Sequence, residues 1–233
     1  MPKVFIGVGH GGKDPGAVGK VREADANLVI ALKMRNELLR HGVTVGISRM
    51  KDENDDLAEE IREANAFKPD VAVDVHNNAG GGNGFEVLVQ TNSYAVKSRK
   101  LGQTIEKQVK AIGQESRGMK TRKNAAGADY FGFLRSVKAP AVIVEGFFVD
   151  STDALGFDTI AEQEALGVAY AKGILNYLDI EWKPESADTF ANAVDVLYKK
   201  GIINSPAYWQ RGLTYSTENV RLLIQKVAEF ISK

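Results

Sequence analysis

Apolar residues recur along the chain with two different spacings, and these spacings predict alternating strands and helices. Short apolar runs rich in β-branched residues predict buried strands. Longer stretches with apolar residues three and four positions apart predict amphipathic helices. The predicted strands span residues 3–8, 43–48, 71–75, 84–90 and 141–146, and the predicted helices span residues 22–40, 55–67, 94–112 and 159–179.

This alternation predicts an α/β fold, a twisted and mostly parallel sheet covered by helices on both faces. The polar, glycine-containing residues 114–128 are expected to form a loop. Residues 181–186 resemble a linker, and no strand pattern follows them. We therefore predict an α/β domain over residues 1–180 and a small helical module over residues 187–233.

Composition and charge exclude several classes of function. Lys plus Arg and Asp plus Glu number 30 each, so no basic surface for nucleic acid or an anionic membrane is expected. No apolar run is long enough to span a membrane, and the first residues lack a signal-peptide pattern, which predicts cytoplasmic synthesis without a signal peptide. The absence of cysteine excludes disulfides, zinc–thiolate sites and a cysteine nucleophile. Nothing in the sequence indicates an oligomeric state.

Residues able to bind a metal stand at the ends of three predicted strands. His10 follows the first strand in GVGHGG, His76 follows the third in VDVHNN, and Glu145 ends the apolar run AVIVEG. Glycines around both histidines would let the backbone turn sharply beside a ligand. The carboxyl ends of parallel strands meet at one edge of a sheet, where sites commonly form. Two histidines and one carboxylate with an open position form a known catalytic zinc arrangement, so we predict a metal centre at this edge.

Two carboxylates compete for the roles of third ligand and general base, which a hydrolytic metal centre also needs. Glu23 opens the first predicted helix, close to the end of the first strand. Glu145 lies in a strongly apolar run, where its pKa should rise and suit proton transfer. This favours Glu23 as the ligand and Glu145 as the base, although the residues alone leave the opposite assignment open.

Taken together, these segments resemble the zinc-dependent N-acetylmuramoyl-L-alanine amidases, which cleave the peptidoglycan of bacterial cell walls and include phage endolysins and bacterial autolysins. The resemblance covers about residues 3–178 and rests on GHGGKDPGAVG, EADANL, EEIREANAF, VDVHNNAG and APAVIVEGFFVD, in that order. It implies that His10, Glu23 and His76 bind zinc and that Glu145 assists catalysis. It also implies hydrolysis, by a zinc-activated water, of the amide bond between N-acetylmuramic acid and L-alanine.

The chain departs from the pattern of this family at several positions, none of which removes a ligand. Asp74 is a candidate partner for His76, because metal-bound histidines usually donate their second N–H to a carboxylate or carbonyl. The departures are Gly7-Val8 in place of Asp-Pro, Asp74-Val75 in place of Ser-Ile, and Phe147 and Asp150 where glycine and asparagine are common.

Other conspicuous residues favour structural roles. His41 ends a predicted helix, where a positive charge is favourable, and Arg62 is expected to pair with a nearby carboxylate. The glycines around His10 lack the GK[ST] ending of a phosphate-binding loop. Tyr208 and Trp209, between the two helices of the terminal module, would either pack those helices together or contact saccharide. For the module as a whole we favour cell-wall targeting.

Two alternative functions remain open from the sequence. One is another zinc peptidase, such as a carboxypeptidase that acts on peptidoglycan peptides. The other is a wall-binding protein without catalytic activity, against which the presence of all four polar positions counts.

Overall fold

The computed structural model describes residues 1–184, 194, 196–205, 220 and 222–227. Its strands are β1 (Lys3–Val8), β2 (Thr44–Ile47), β3 (Val71–Asn78), β4 (Phe85–Val89), β5 (Ser116–Lys120) and β6 (Ala141–Phe148). Its helices are α1 (Glu23–Arg40), α2 (Leu57–Phe67), α3 (Ala95–Ala111), α4 (Gly132–Ser136) and α5 (Ile160–Tyr177), with a 3₁₀ turn at Thr152–Gly156.

The six strands form one mixed sheet in the order β2-β1-β3-β6-β4-β5. Every neighbouring pair is parallel except β4 and β6, which run antiparallel. The connection between β3 and β4, residues 79–84, is too short for the crossover that would let β4 run parallel to β3. Because β6 is parallel to β3, β4 is antiparallel to β6. The predicted α/β class with a mostly parallel sheet is confirmed.

Alternating side chains divide the strands between two apolar layers. Val4, Ile6 and Val8 of β1 belong to the core beneath α1, α3 and α5, whereas Phe5 belongs to the core beneath α2 and α4. Helices therefore cover both faces of the sheet, as predicted. The same alternation puts Asp74, His76 and Glu145 on the face of α2 and α4, because they continue the series of Ala72 in β3 and of Ala141 and Ile143 in β6.

The prediction of a loop over residues 114–128 is wrong, because this segment contains β5. The strand lies at the edge of the sheet, pairs only with β4 and has the polar sequence SRGMK. It therefore lacks the apolar run that identifies a buried strand. Helix α4 was also absent from the sequence prediction, because GFLRS is too short to show a helical period.

The chain divides into two compact units, Met1–Trp182 and Lys183–Lys233. In the second unit, residues 196–199 and 222–227 are helical, and Gly201 has φ 70°, a left-handed conformation that is common just after a helix. Tyr208 and Trp209 lie outside the described residues. Over the described ranges, no helix combines the length and the hydropathy that crossing a bilayer requires. A small apolar cluster joins Val194, Ile202 and Ile203 with Leu197, Leu223 and Val227.

Candidate metal centre

His10 directly follows β1 in an unusual backbone conformation, with φ at 64°. A non-glycine residue in this left-handed region is uncommon, and such strain is typical of functional positions. Gly9 is required for a different reason, because a Cβ there would lie 2.1 Å from Cε1 of His76. The backbone of residue 9 thus passes directly against the imidazole of His76, and this brings the two histidines together.

His76 lies inside β3, which corrects the prediction that it follows the strand. β3 continues to Asn78 because it pairs with β6, which itself extends to Phe148. In this ladder His76 is the register partner of Glu145. The two side chains therefore stand side by side on the same face of the sheet.

Glu23 is the first residue of α1, and its buried carboxylate lies between the two histidines. Its Oε1 is 3.2 Å from Nε2 of His10 and 3.1 Å from Nδ1 of His76. The backbone N–H of Ala17 donates to Oε2 (2.9 Å) and that of Asn77 to Oε1 (3.2 Å), which fixes the orientation of the carboxylate. One potential ligand atom from each of His10, Glu23 and His76 lies within 4.8 Å of the others, a group that could hold a metal ion.

Each histidine turns its second ring nitrogen toward another carboxylate. Nδ1 of His10 lies 2.8 Å from Oδ2 of Asp14, which is largely exposed. Nε2 of His76 lies 3.3 Å from Oδ2 of Asp74, which is buried. An imidazole that donates one N–H to such an acceptor presents its other nitrogen as a metal ligand, and both histidines are arranged in this way.

The charge balance of the site suits a cation. Four carboxylates, those of Asp14, Glu23, Asp74 and Glu145, surround the two imidazoles, and none of them forms an ion pair with a lysine or arginine in the described part of the chain. Buried carboxylates are normally paired or bound to a metal. The donor set of two imidazoles and a carboxylate therefore fits a divalent ion that takes nitrogen and oxygen ligands.

The two glutamates at the centre titrate in opposite directions. Burial acts to raise the pKa of Glu23, but hydrogen bonds from His10 and His76 outweigh it and hold that pKa well below its ordinary value. Burial raises the pKa of Glu145 to about 7, although the charge of His76 opposes this rise. A carboxylate with a low pKa suits a ligand, and one near 7 suits proton transfer at neutral pH.

Glu145 stands beside the group of potential ligands and is not a member of it. On its other side it is the register partner of Glu86 in β4, whose carboxylate is paired with Arg117. The structure thus brings His10, Glu23, His76 and Glu145 together near the carboxyl end of β3.

A cavity of about 490 Å³ opens next to the two histidines. Its lining includes the buried acid Asp74, the apolar side chains of Phe133 and Ile143, and a second buried acid that the sequence did not single out, Glu60 of α2. The available signal for Glu60 was its place one turn before the buried Ala64, which puts a carboxylate on the inner face of an amphipathic helix.

Two residues assigned structural roles have the expected surroundings. Nδ1 of His41 lies 2.7 Å from the carbonyl oxygen of Glu37 at the end of α1, and the ring stacks on Trp182. Arg62 is paired with Glu59 on the exposed side of α2. Neither residue lines the cavity beside the histidines.

Comparison with known proteins gives consistent matches. The family profile described as N-acetylmuramoyl-L-alanine amidase matches residues 4–176. The chain is 33% identical over 178 residues to the N-acetylmuramoyl-L-alanine amidase CwlM of Bacillus licheniformis, covering 75% of this chain and 68% of that protein. It is 35% identical over 191 residues to the endolysin of Bacillus phage SPP1, covering 77% of this chain and 67% of that protein.

A solved structure shares the fold over most of the chain. The crystal structure of N-acetylmuramoyl-L-alanine amidase from Clostridium difficile 630 superimposes with a TM-score of 0.70 at 29% identity. The match covers 77% of this chain and 97% of the other.

Proposed function

The chain belongs to the N-acetylmuramoyl-L-alanine amidase family, and on that premise we propose how its own residues carry out the reaction. It hydrolyses the amide bond between N-acetylmuramic acid and L-alanine in bacterial peptidoglycan. We propose that His10, Glu23 and His76 hold a zinc ion and that Glu145 is the general base. The observation that supports this most is the convergence of three potential ligand atoms within 4.8 Å, from segments far apart in the sequence.

Zinc bound by these residues would act as a Lewis acid, polarising the scissile carbonyl and lowering the pKa of a water molecule to about 7. The protein contributes the orientation of the ligands. Asp14 accepts the second N–H of His10, and Glu23 is held by the backbone N–H groups of Ala17 and Asn77. With its ligands fixed in this way, the site does not have to reorganise during the reaction.

In the proposed reaction Glu145 moves the protons. Its carboxylate accepts a proton from the water that attacks the amide carbon. The resulting carboxylic acid then donates that proton to the nitrogen of L-alanine as the C–N bond breaks. The products are the lactyl carboxylate of N-acetylmuramic acid and a peptide with a free amino terminus, and no covalent enzyme intermediate is required.

A metal-depletion experiment tests this proposal directly. The purified chain is expected to contain stoichiometric zinc and to lose hydrolysis of a soluble muramoyl peptide after treatment with a chelator, because the carbonyl is then no longer polarised. Added zinc is expected to restore the rate. Metal content by atomic spectroscopy and the release of alanine amino groups are the two measurements. Full activity in a chain shown to be free of metal would contradict the proposal.

We further propose that the chain consists of a catalytic domain over residues 1–180 and a helical module over residues 187–233 that targets it to the cell wall, where the substrate lies. Two features support this proposal. The family profile ends at residue 176, and the described part of the second unit has its own apolar cluster. Tyr208 and Trp209 are the proposed aromatic contacts with the wall.

Removal of residues 183–233 is expected to separate binding from catalysis. Loss of the targeting module should lower sedimentation with insoluble cell walls and slow their lysis, because attachment to the wall raises the local concentration of substrate. Turnover of a soluble muramoyl peptide should stay near that of the full chain, because every proposed catalytic residue lies in the first unit. If the truncated protein bound and lysed walls as well as the full chain, the targeting role would be wrong.

A further inference from the structure

Glu60 is a buried acid with no function in the mechanism above. It lies on the inner side of α2, with 5% of its surface exposed, and faces Asp74 of β3, which is 2% exposed. Burying a carboxyl group is costly unless it is hydrogen-bonded or paired. In the described part of the chain Glu60 forms no ion pair, and its buried Oε1 has no hydrogen-bond partner.

The space that Glu60 occupies exists because residue 7 is glycine. A Cβ at Gly7 would lie 1.8 Å from Oε1 of Glu60 and 2.8 Å from Oδ1 of Asp74, so both oxygens point into the volume that a side chain at this position would fill. Gly7 and Asp74 are register partners in the β1–β3 ladder. Two departures from the family pattern, Gly7 and Asp74, thus lie side by side beneath the same buried acid.

Two ionised carboxylates whose oxygens point into the same small volume would repel each other strongly, and in the described part of the chain neither Oε1 of Glu60 nor Oδ1 of Asp74 has a hydrogen-bond donor beside it. Oδ2 of Asp74 lies 3.3 Å from Nε2 of His76, whereas its Oδ1 and Oε1 of Glu60 are both buried without a hydrogen-bond partner in the described part of the chain. A proton on Glu60 would let its carboxyl group donate to Oδ1 of Asp74 and give each oxygen a partner. Burial and the charge of Asp74 raise the pKa of Glu60 well above its ordinary value, with smaller contributions from Asp55 and Glu63 and an opposing one from His76.

We propose that Glu60 is a positioning residue of the metal centre, whose carboxyl O–H donates a hydrogen bond to Oδ1 of Asp74 and so fixes the carboxylate that orients His76. The inference rests on the proposed function, because it concerns a ligand of the proposed zinc ion. Glu60 does not touch the substrate. It acts through Asp74, which keeps the N–H of His76 on Nε2 and turns Nδ1 toward Glu23.

The test compares Glu60→Met with Glu60→Gln by measuring zinc affinity in competition with a chelator. Methionine has a similar volume but cannot donate, so Glu60→Met is expected to weaken zinc binding by roughly tenfold or more, as loss of an outer-shell contact typically does. Glutamine keeps a donor, so Glu60→Gln should bind zinc nearly as tightly as the wild type. The absorption spectrum of the cobalt-substituted protein should change with Glu60→Met and stay unchanged with Glu60→Gln.

Gly7→Ala provides a second test, because its Cβ would displace Oε1 of Glu60 and Oδ1 of Asp74 together, and it should lower zinc affinity at least as much as Glu60→Met does. Gly156→Ala is the matched control, because a Cβ at this position meets no atom within 4 Å. Unfolding of the metal-free variants in urea is measured alongside. Replacing a buried acid by methionine should leave stability unchanged or higher, so weaker zinc binding would not reflect a damaged fold.

The inference would be overturned if Glu60→Met bound zinc as tightly as the wild type, or if Glu60→Gln lost as much affinity as Glu60→Met. The second result would mean that Glu60 does not act as a donor. A wild-type chain that binds no zinc would overturn the proposed function itself, and with it this inference, so the two failures are distinguishable.

Discussion

Glu145→Gln is expected to lower kcat on a soluble muramoyl peptide by about 10²- to 10⁴-fold, the usual contribution of a general base. Glutamine has nearly the same shape as glutamate but cannot accept a proton from water at neutral pH. The side chain stands beside His76 in the β3–β6 ladder and outside the group of potential ligands. Zinc affinity should therefore change little while kcat falls. Chelator competition measures the affinity, and hydrolysis of the soluble muramoyl peptide measures kcat.

Glu86→Gln is the matched control for this prediction. Glu86 is the register partner of Glu145 on β4, carries the same functional group and is paired with Arg117 at the same edge of the site. Its replacement should reduce kcat far less. A Glu145→Gln enzyme with wild-type turnover would remove Glu145 as the base. If the variant instead lost its zinc, the roles of Glu145 and Glu23 would have to be exchanged.

The sequence predicted where the chain forms strands and helices better than it predicted which face each side chain occupies. β1, β3 and β6 are buried on both faces, so their apolar runs carry little polar–apolar alternation. The position of His76 inside β3, directly beside Glu145, depends on how far β3 and β6 extend together. That length is set by pairing between strands distant in sequence, which a local pattern does not contain.

The choice between Glu23 and Glu145 shows the same limit. Glu23 begins α1 and Glu145 lies in β6, both near the same edge of the sheet, and a glutamate can serve in either role. The difference lies in distances across the fold, since the carboxylate of Glu23 lies within 3.2 Å of both histidines, whereas Glu145 is the strand partner of His76 and not of His10. Glu60 was overlooked for a related reason, because its importance depends on the space left by Gly7 on another element.

Glu23→Gln is expected to be the most damaging change to metal binding. The carboxylate contacts both histidines and supplies the single negative charge among the three potential ligands. Its replacement by a neutral amide should weaken zinc binding by more than roughly 100-fold, beyond the usual effect of losing an outer-shell partner. Hydrolysis should fall in proportion to zinc occupancy. Chelator competition gives the affinity, and rates at increasing zinc concentration give the remaining turnover.

Glu37→Gln separates this effect from the general cost of losing a buried glutamate in α1. Glu37 is as buried as Glu23 and lies in the same helix, but it is paired with Lys33 and Arg40. Its replacement should lower the free energy of unfolding slightly and leave zinc affinity unchanged. Rates that recover fully at high zinc concentration would assign Glu23 to binding alone. Wild-type zinc affinity in Glu23→Gln would exclude Glu23 as a ligand, because no neutral amide oxygen replaces a carboxylate at this centre without cost.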